Sequence, residues 1–459
     1  MSVQDLVEQA LDLASLPSIV TVTERTEANL RWANNALTTN GEMHSRTLTV
    51  TATAEVAGGT AAGSVSQEIA GPGDVAAVIA AAEQLARTGS PAEDAMALVE
   101  NYDHADDWEA EPEATGIDVL GDFAAGLGTA FRQAAASRQL LFGFAEHVVS
   151  TTYLGSSTGL RRRVVQPTGR LELNAKTGDL SASAWVGRAT RDFADIDIAE
   201  VCAEASTRLD WAKVKIDLPP GAYETLLPPG PVADLLIYLY WTANARNAEE
   251  GRNVFAAGDG RTKIGQPLSS LPITLKSDPL YPGLETVPFV DFTYTEDETS
   301  WMFDGGAPLT GTSWIENGVL RELIRNRAQA AKTGLSPTPP PDNLIMDGGG
   351  SATLQEMIAR TKRGLLLTCL WYIRDVDPER LLLTGLTRDG VYLVEDGIVV
   401  GAVNNFRWNE SPVELLGRIT EIGASELTLC REWNDYFNRT IMPPIRVPDF
   451  NMSTVSQAS

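Results

Sequence analysis

Leu226-Leu-Pro-Pro-Gly-Pro-Val-Ala-Asp-Leu-Leu-Ile-Tyr-Leu-Tyr-Trp-Thr-Ala-Asn-Ala-Arg-Asn-Ala-Glu-Glu-Gly-Arg252 divides the chain into two parts of different character. Its prolines and glycine mark an entry, and the apolar run behind them predicts one long helix from about Val232 to Arg252. On this reading Leu236, Leu239 and Ala243 point inward and the charged end, with Glu249 and Glu250, is solvated.

The part before this helix alternates helical and strand-like stretches. Residues 4–15 carry Leu6, Val7, Ala10, Leu11 and Ala14 at helical spacing, with Ser2 and Asp5 as a cap. Ser18 to Thr23 and Thr47 to Val56 are rich in Val, Ile and Thr and read as strands, with a turn at Gly58-Gly59. Asp74 to Arg87, Gly116 to Arg138 and Asp195 to Val214 read as helices, and Gln139 to Val186 as β. Glu100 to Glu113 is an acidic linker. The part after the long helix is short strands broken by glycine and proline, including Leu365–Trp371, Gly390–Val394 and Ile398–Val403. A helix near Ser351–Lys362 and the proline loop Ser336 to Pro341 precede those strands. The class is α+β: N-terminal helices packed on antiparallel sheet, then a mostly β C-terminal domain with a few helices. Domains are expected at 1–215, with a subdivision near 100–115, and at 216–459.

Lys and Arg number 36 against 61 Asp and Glu, a net charge of −25. That balance opposes binding to nucleic acid or an anionic membrane, where cations must neutralise phosphate. It suits basic peptide substrates, a basic partner, or simply a solvated surface. No stretch has the length of a membrane span, and no basic run with an apolar segment opens the chain as a signal peptide would. Cys202, Cys369 and Cys430 are odd in number and far apart, so a reducing cytoplasm is the expected compartment.

Candidate chemistry is sparse. The three histidines, His44, His104 and His147, are too scattered to form a ligand pair on one helix. Arg161-Arg162-Arg163 reads as a strand edge or interface rather than a phosphate patch. Gly348, Gly349 and Gly350 follow Asp347 and open the helix near 351; they read as a turn, an anion cradle, or a strand that accepts a peptide backbone. Gly258 to Gly265 is glycine-rich without dinucleotide-site spacing. Asp291, Glu296, Asp297, Glu298 and Asp304 are an acidic cluster in which a glycosidase pair is conceivable. Tyr238, Tyr240, Trp241, Trp301 and Trp314 could line a peptide groove or an interface.

Five stretches carry a family resemblance: Trp314-Ile-Glu-Asn-Gly-Val-Leu320, Asn343-Leu-Ile-Met-Asp-Gly-Gly-Gly350, Thr361-Lys-Arg-Gly-Leu-Leu-Leu-Thr368, Gly390-Val-Tyr-Leu-Val-Glu-Asp-Gly397 and Pro444-Ile-Arg-Val-Pro-Asp-Phe450. In that order they resemble the TldD/PmbA (TldD/TldE) family. The first part is similar too, with a hairpin at Arg31 to Asn35 and a Ser-Ser-Thr-Gly-Leu loop. In that family the TldD member is a zinc peptidase with H-E-x-x-x-H on a helix and a cysteine ligand near the C-terminus, while PmbA/TldE lacks the motif. Imidazole and thiolate hold zinc and leave a position for activated water. Here Tyr240, Trp241, Asn244 and Glu249 stand on the helix where the motif is expected. Adjacent glutamates on a helix diverge by about 100° and do not share an ion. Cys430 is placed as the family's cysteine ligand is, and alone it cannot hold a catalytic zinc; a buried, inert thiol is the other reading.

The resemblance therefore implies no zinc and no catalytic residue in this chain, with zinc in a TldD-like partner. The chain is expected to be the non-catalytic subunit of a heteromeric peptidase in proteolysis or peptide maturation, acting on peptides or unfolded segments. The alternatives are a stand-alone hydrolase and a self-associating scaffold, such as a homodimer, with no proteolytic role.

Overall fold

The structure is a computed structural model and describes residues 2–100, 105–296 and 299–456. Helix α1 (Val3–Leu13) is closed by the reciprocal Ser2–Asp5 capping box. Strands β1 (Ser18–Ala33) and β2 (Ala36–Val56) form a long hairpin. Asn34 and Asn35 turn it with φ of 51° and 61°, a backbone that asparagine tolerates and that matches strand twist. Strand β3 (Gly59–Glu68), helices α2 (Val75–Thr88) and α3 (Gly121–Ala136), strands β4 (Gln139–Ser156), β5 (Arg161–Thr177) and β6 (Ser183–Thr190), and helix α4 (Ile198–Trp211) complete the first layer pair. The six strands run antiparallel in the order β3-β2-β1-β4-β5-β6.

One face of β1 explains why the helices lie where they do. Val20, Val22, Ala28, Leu30 and Trp32 share that face and are buried. α1 and α2 cover the Val20 end, and α3 and α4 cover the Trp32 end. Both strands run further than their Val- and Thr-rich cores predict. Their extensions are polar and pair charge across the ladder: Arg46 holds Glu24 at 2.5 Å, with His44 on the same carboxylate. Arg161 and Arg163 lie on β5 beyond the reach of β6, paired with Glu8 at 2.6 Å and Asp107 at 2.5 Å.

The second part is built on a ten-stranded mixed sheet and a six-stranded one. In the larger sheet, Ile445–Val455 lies between Phe406–Glu410 and Gly221–Leu227, and Gly221–Leu227 runs parallel to Arg363–Leu367. In the smaller sheet, Leu344–Asp347 pairs in parallel with Thr440–Met442. The predicted strand Leu365–Trp371 is two strands, Arg363–Leu367 and Leu370–Asp377. The chain turns between them because the Thr368 backbone N–H and hydroxyl both donate to Gly390 O, at 2.7 and 3.1 Å. Among the described residues no helix is long and apolar enough to cross a membrane.

The predicted long helix is two helices, α5 (Pro229–Trp241) and α6 (Ala245–Glu249). α5 is buried nearly all round, with Val232, Leu235, Leu236, Leu239 and Tyr240 in the main core. Its break is specified by polar groups. The Thr242 hydroxyl folds back onto Tyr238 O at 2.8 Å. Ala245 N–H and Ala243 C=O leave the helix to pair with Ile324, at 2.9 and 2.7 Å. Asn244 then caps α6 by accepting from Asn247 N at 3.1 Å. The Asn253 amide donates to the carbonyls of Thr242 and Asn244, both at 3.0 Å. The periodic pattern concealed this break, because Ile324 and Asn253, which hold it, come from outside the predicted helix.

Candidate functional site

The helix break opens onto a cavity. Tyr240 and Trp241, at the end of α5, form one wall with Phe437, whose ring centroid lies 5.9 Å from Tyr240 and 6.3 Å from Trp241. Trp433 backs this wall at 5.2 Å from Trp241. Phe292, stacked on Tyr294 at 5.1 Å, adds to the lining, with Trp301 edge-on to Phe292 at 5.3 Å. Pro340 and Pro341 line it too, and Tyr240 donates its hydroxyl to Pro341 O at 2.8 Å. Two lobes of about 290 and 360 Å³ share Tyr240, Trp241, Tyr294 and Pro340. That is the size of an ordinary small-ligand or side-chain pocket.

Three charged residues reach the smaller lobe: Asp291, Asp342 and Arg439. Arg439 pairs with Asp342 at 2.8 Å. Burial pushes the Asp291 carboxyl up to about 6, and the neighbouring Asp342 charge adds to the rise. Tyr436 stands exposed at the rim.

Of the residues singled out in the sequence, Tyr240, Trp241, Asn244, Asp291 and Trp301 come together at this cavity. Asn244 also donates to Thr299 Oγ1 at 3.2 Å. Glu249 turns away to Gln329, and Glu250 pairs with Arg246 at 2.9 Å. Trp314 is deep core, packed 5.3 Å from Tyr240. Tyr238 packs on Trp433 at 5.6 Å. Gly348, Gly349 and Gly350 do not open a helix: the helix Leu354–Ala359 starts four residues after Gly350, under its own Thr353–Glu356 capping box. A Cβ on Gly350 would lie 2.0 Å from Ile422 O, so this side of the run already faces the chain's own backbone. Asp304 accepts from Arg327 N at 3.1 Å and is buried. His104, Asp297 and Glu298 lie outside the described residues.

Cys430 is fully buried and its thiol donates to Phe437 O at 3.2 Å. Burial, with the nearby Asp234 charge, pushes that thiol far above the usual range. His147 is buried between Thr115 Oγ1 at 2.7 Å and Arg191 O at 2.8 Å. These donors do not fit zinc, which needs three or four N, S or O ligands converging at about 2.0–2.3 Å. Among the described residues no three His, Cys, Asp or Glu side chains are grouped to hold an ion.

Sequence reading missed Asp234, Asp342, Arg439 and Phe437. Asp234 sits within α5, fully buried, and accepts from Glu432 N at 2.9 Å and Arg431 N at 3.4 Å. It thereby pins the segment that carries Cys430, Trp433 and Phe437 against the helix. Beside it, Arg431 pairs with Asp389 at 2.7 Å and lies over Trp371 at 4.4 Å and Trp185 of β6 at 5.6 Å, joining the two parts of the chain. A buried aspartate in an apolar helix was the one local signal available.

A helix-plated antiparallel sheet joined to a mixed sheet around a buried, broken helix defines an α+β protein. The profile of the PmbA/TldA metallopeptidase C-terminal domain matches residues 220–454, 235 of the 459. The chain belongs to the PmbA/TldD family. The fold is similar to that of TldE from Thermococcus kodakarensis, with a TM-score of 0.79 at 18% identity over 98% of this chain and 99% of that one. It is also similar to a protein of Thermotoga maritima described as a candidate modulator of a DNA gyrase, at 0.75 and 17% over 98% and 99%. Comparison with curated proteins gives no match.

Proposed function

We propose that this chain is the non-catalytic subunit of a heteromeric zinc peptidase whose metal belongs to a TldD-like partner, and that it contributes a pocket for the peptide substrate. The observation that carries the reading is the aromatic cavity at Tyr240, Trp241 and Asn244. It occupies the stretch of helix where the resemblance places zinc ligands. The peptidase-related family supports a role in proteolysis or peptide maturation, and the likeness to TldE supports the companion role within it. Burial of α5 on all sides supports a fixed wall. The reacting water, its activation and the general base belong to the partner on this reading. This chain orients an extended peptide by gripping a side chain and excluding water around it. The compartment that suits three free cysteines is the cytoplasm.

The test is co-expression with a TldD-like protein of the same source. The expected result is co-elution, zinc in the pair and none in this chain alone, and chelator-sensitive cleavage of unfolded peptides by the pair. Neither co-elution nor zinc-dependent cleavage by the mixture would sink the reading.

A further inference from the structure

We propose that the cavity beside Tyr240 and Trp241 takes a cationic side chain, lysine or arginine, from a peptide. The inference rests on the reading of this cavity as a peptide pocket and adds the chemistry of what enters it.

Two observations carry it. The lining is aromatic: Tyr240, Trp241, Phe437, Phe292 and Tyr294 all reach the cavity. Aromatic faces attract ammonium and guanidinium groups, more strongly where water is excluded. The charge inside is also unbalanced. Arg439 is committed to Asp342 at 2.8 Å. Asp291 has its own backbone N–H, and no Lys, Arg or His among the described residues pairs with it. One negative charge is left over in a partly dehydrated site. An apolar side chain entering the cavity would dehydrate that carboxylate further without a partner, and an anionic one would repel it. A cation with a long apolar stem satisfies walls and charge together. The net charge of −25 over the whole chain draws basic peptides to the surface at low salt.

The experiment uses the full chain alone and follows tryptophan fluorescence. The probes are acetyl-Gly-Lys-Gly-amide and its uncharged isostere, acetyl-Gly-norleucine-Gly-amide, at pH 7.5. The lysine peptide is expected to bind about tenfold more tightly. Asp291→Asn should erase the preference, and Asp259→Asn, at an exposed loop position, should leave it intact. A second measurement needs no variant. Lowering the pH to 5 should remove the preference in the native chain. Asp291, lifted to about 6 by burial, gains its proton in that interval; Asp342, Arg439 and Tyr240 are the other charged or titratable groups of the chain's interior that face it. Equal binding of the two peptides, binding of neither, or a lysine preference that survives Asp291→Asn or pH 5 overturns the proposal. No partner is present in the titration, so failure to assemble a zinc peptidase leaves it untouched. Zinc-dependent cleavage by the pair without a charge preference would keep the companion role and reject the cationic pocket.

Discussion

Asn253→Ala tests how the helix break is held. The Asn253 side chain makes three hydrogen bonds: it donates to Thr242 O and Asn244 O at 3.0 Å each, and accepts from Phe255 N at 3.0 Å. At about 1 kcal/mol net apiece, their loss should cost about 3 kcal/mol of local stability. The site is buried, so water does not replace the lost donors cheaply. A free-energy loss of that size corresponds to roughly a hundredfold rise in the open population. Hydrogen exchange followed by mass spectrometry on peptides covering 240–250 should show that acceleration, because these amides exchange through local opening. Strand β4, far from the break, should exchange as before. Acceleration of less than about fivefold in the 240–250 peptides, or an equal rise in β4, would refute the assignment of the break to Asn253.

Asp234→Asn should flatten the pH dependence of stability. Burial outweighs the two N–H donors and lifts the Asp234 carboxyl to about 8. The folded chain then keeps a proton that the unfolded chain releases above about pH 4. This residue's stabilisation is full below that pH and is lost as pH rises towards 8. Urea midpoints at pH 6 and 8.5 should differ less in the variant than in the native protein; equal differences would reject the mechanism. Arg431→Met strands Asp389 in the core and should cost about 3–5 kcal/mol in urea unfolding, against under 1 kcal/mol for an exposed pair such as Arg363–Glu395. Cys202, Cys369 and Cys430 should resist a thiol reagent at pH 8 until the protein is denatured, since burial raises the thiol of each; one fast-reacting thiol in the native state would contradict the packing described.

What was legible in the sequence was local. The Ser2–Asp5 box, the Asn34-Asn35 turn and the apolar spacing of α1 and α2 each depend on neighbours within a few residues, and each formed as its residues require. The alternation of Val20, Val22, Ala28, Leu30 and Trp32 was present but half hidden, because Glu24, which pairs with Arg46 of β2, and the Arg25–Glu27 pair along β1 interrupt it. The break at Thr242 to Asn244 was not legible, since Ile324 supplies two of its hydrogen bonds from far along the chain. The cavity was legible only in part. Tyr240 and Trp241 stood out on an apolar helix, and the acidic run drew notice to Asp291. Asp342 and Arg439 meet only when Leu344–Asp347 and Thr440–Met442 pair, which no local pattern announces.

The position of Ile445–Val455 bears on how the molecule is made. The pairing of β1 to β6 uses residues 18–190 alone, so this sheet can form while the rest of the chain is still being synthesised, and Leu226, Leu366 and Tyr392 complete the core under α3 and α4 later. The large sheet cannot. Gly221–Leu227 waits for Ile445–Val455 to pair with it, and Phe406–Glu410 waits for the same strand. Until residue 455 has left the ribosome, the apolar helix α5 has no complete sheet to cover it. Synthesis therefore passes through an interval in which the first sheet can be paired while the apolar surface of the second part is still uncovered.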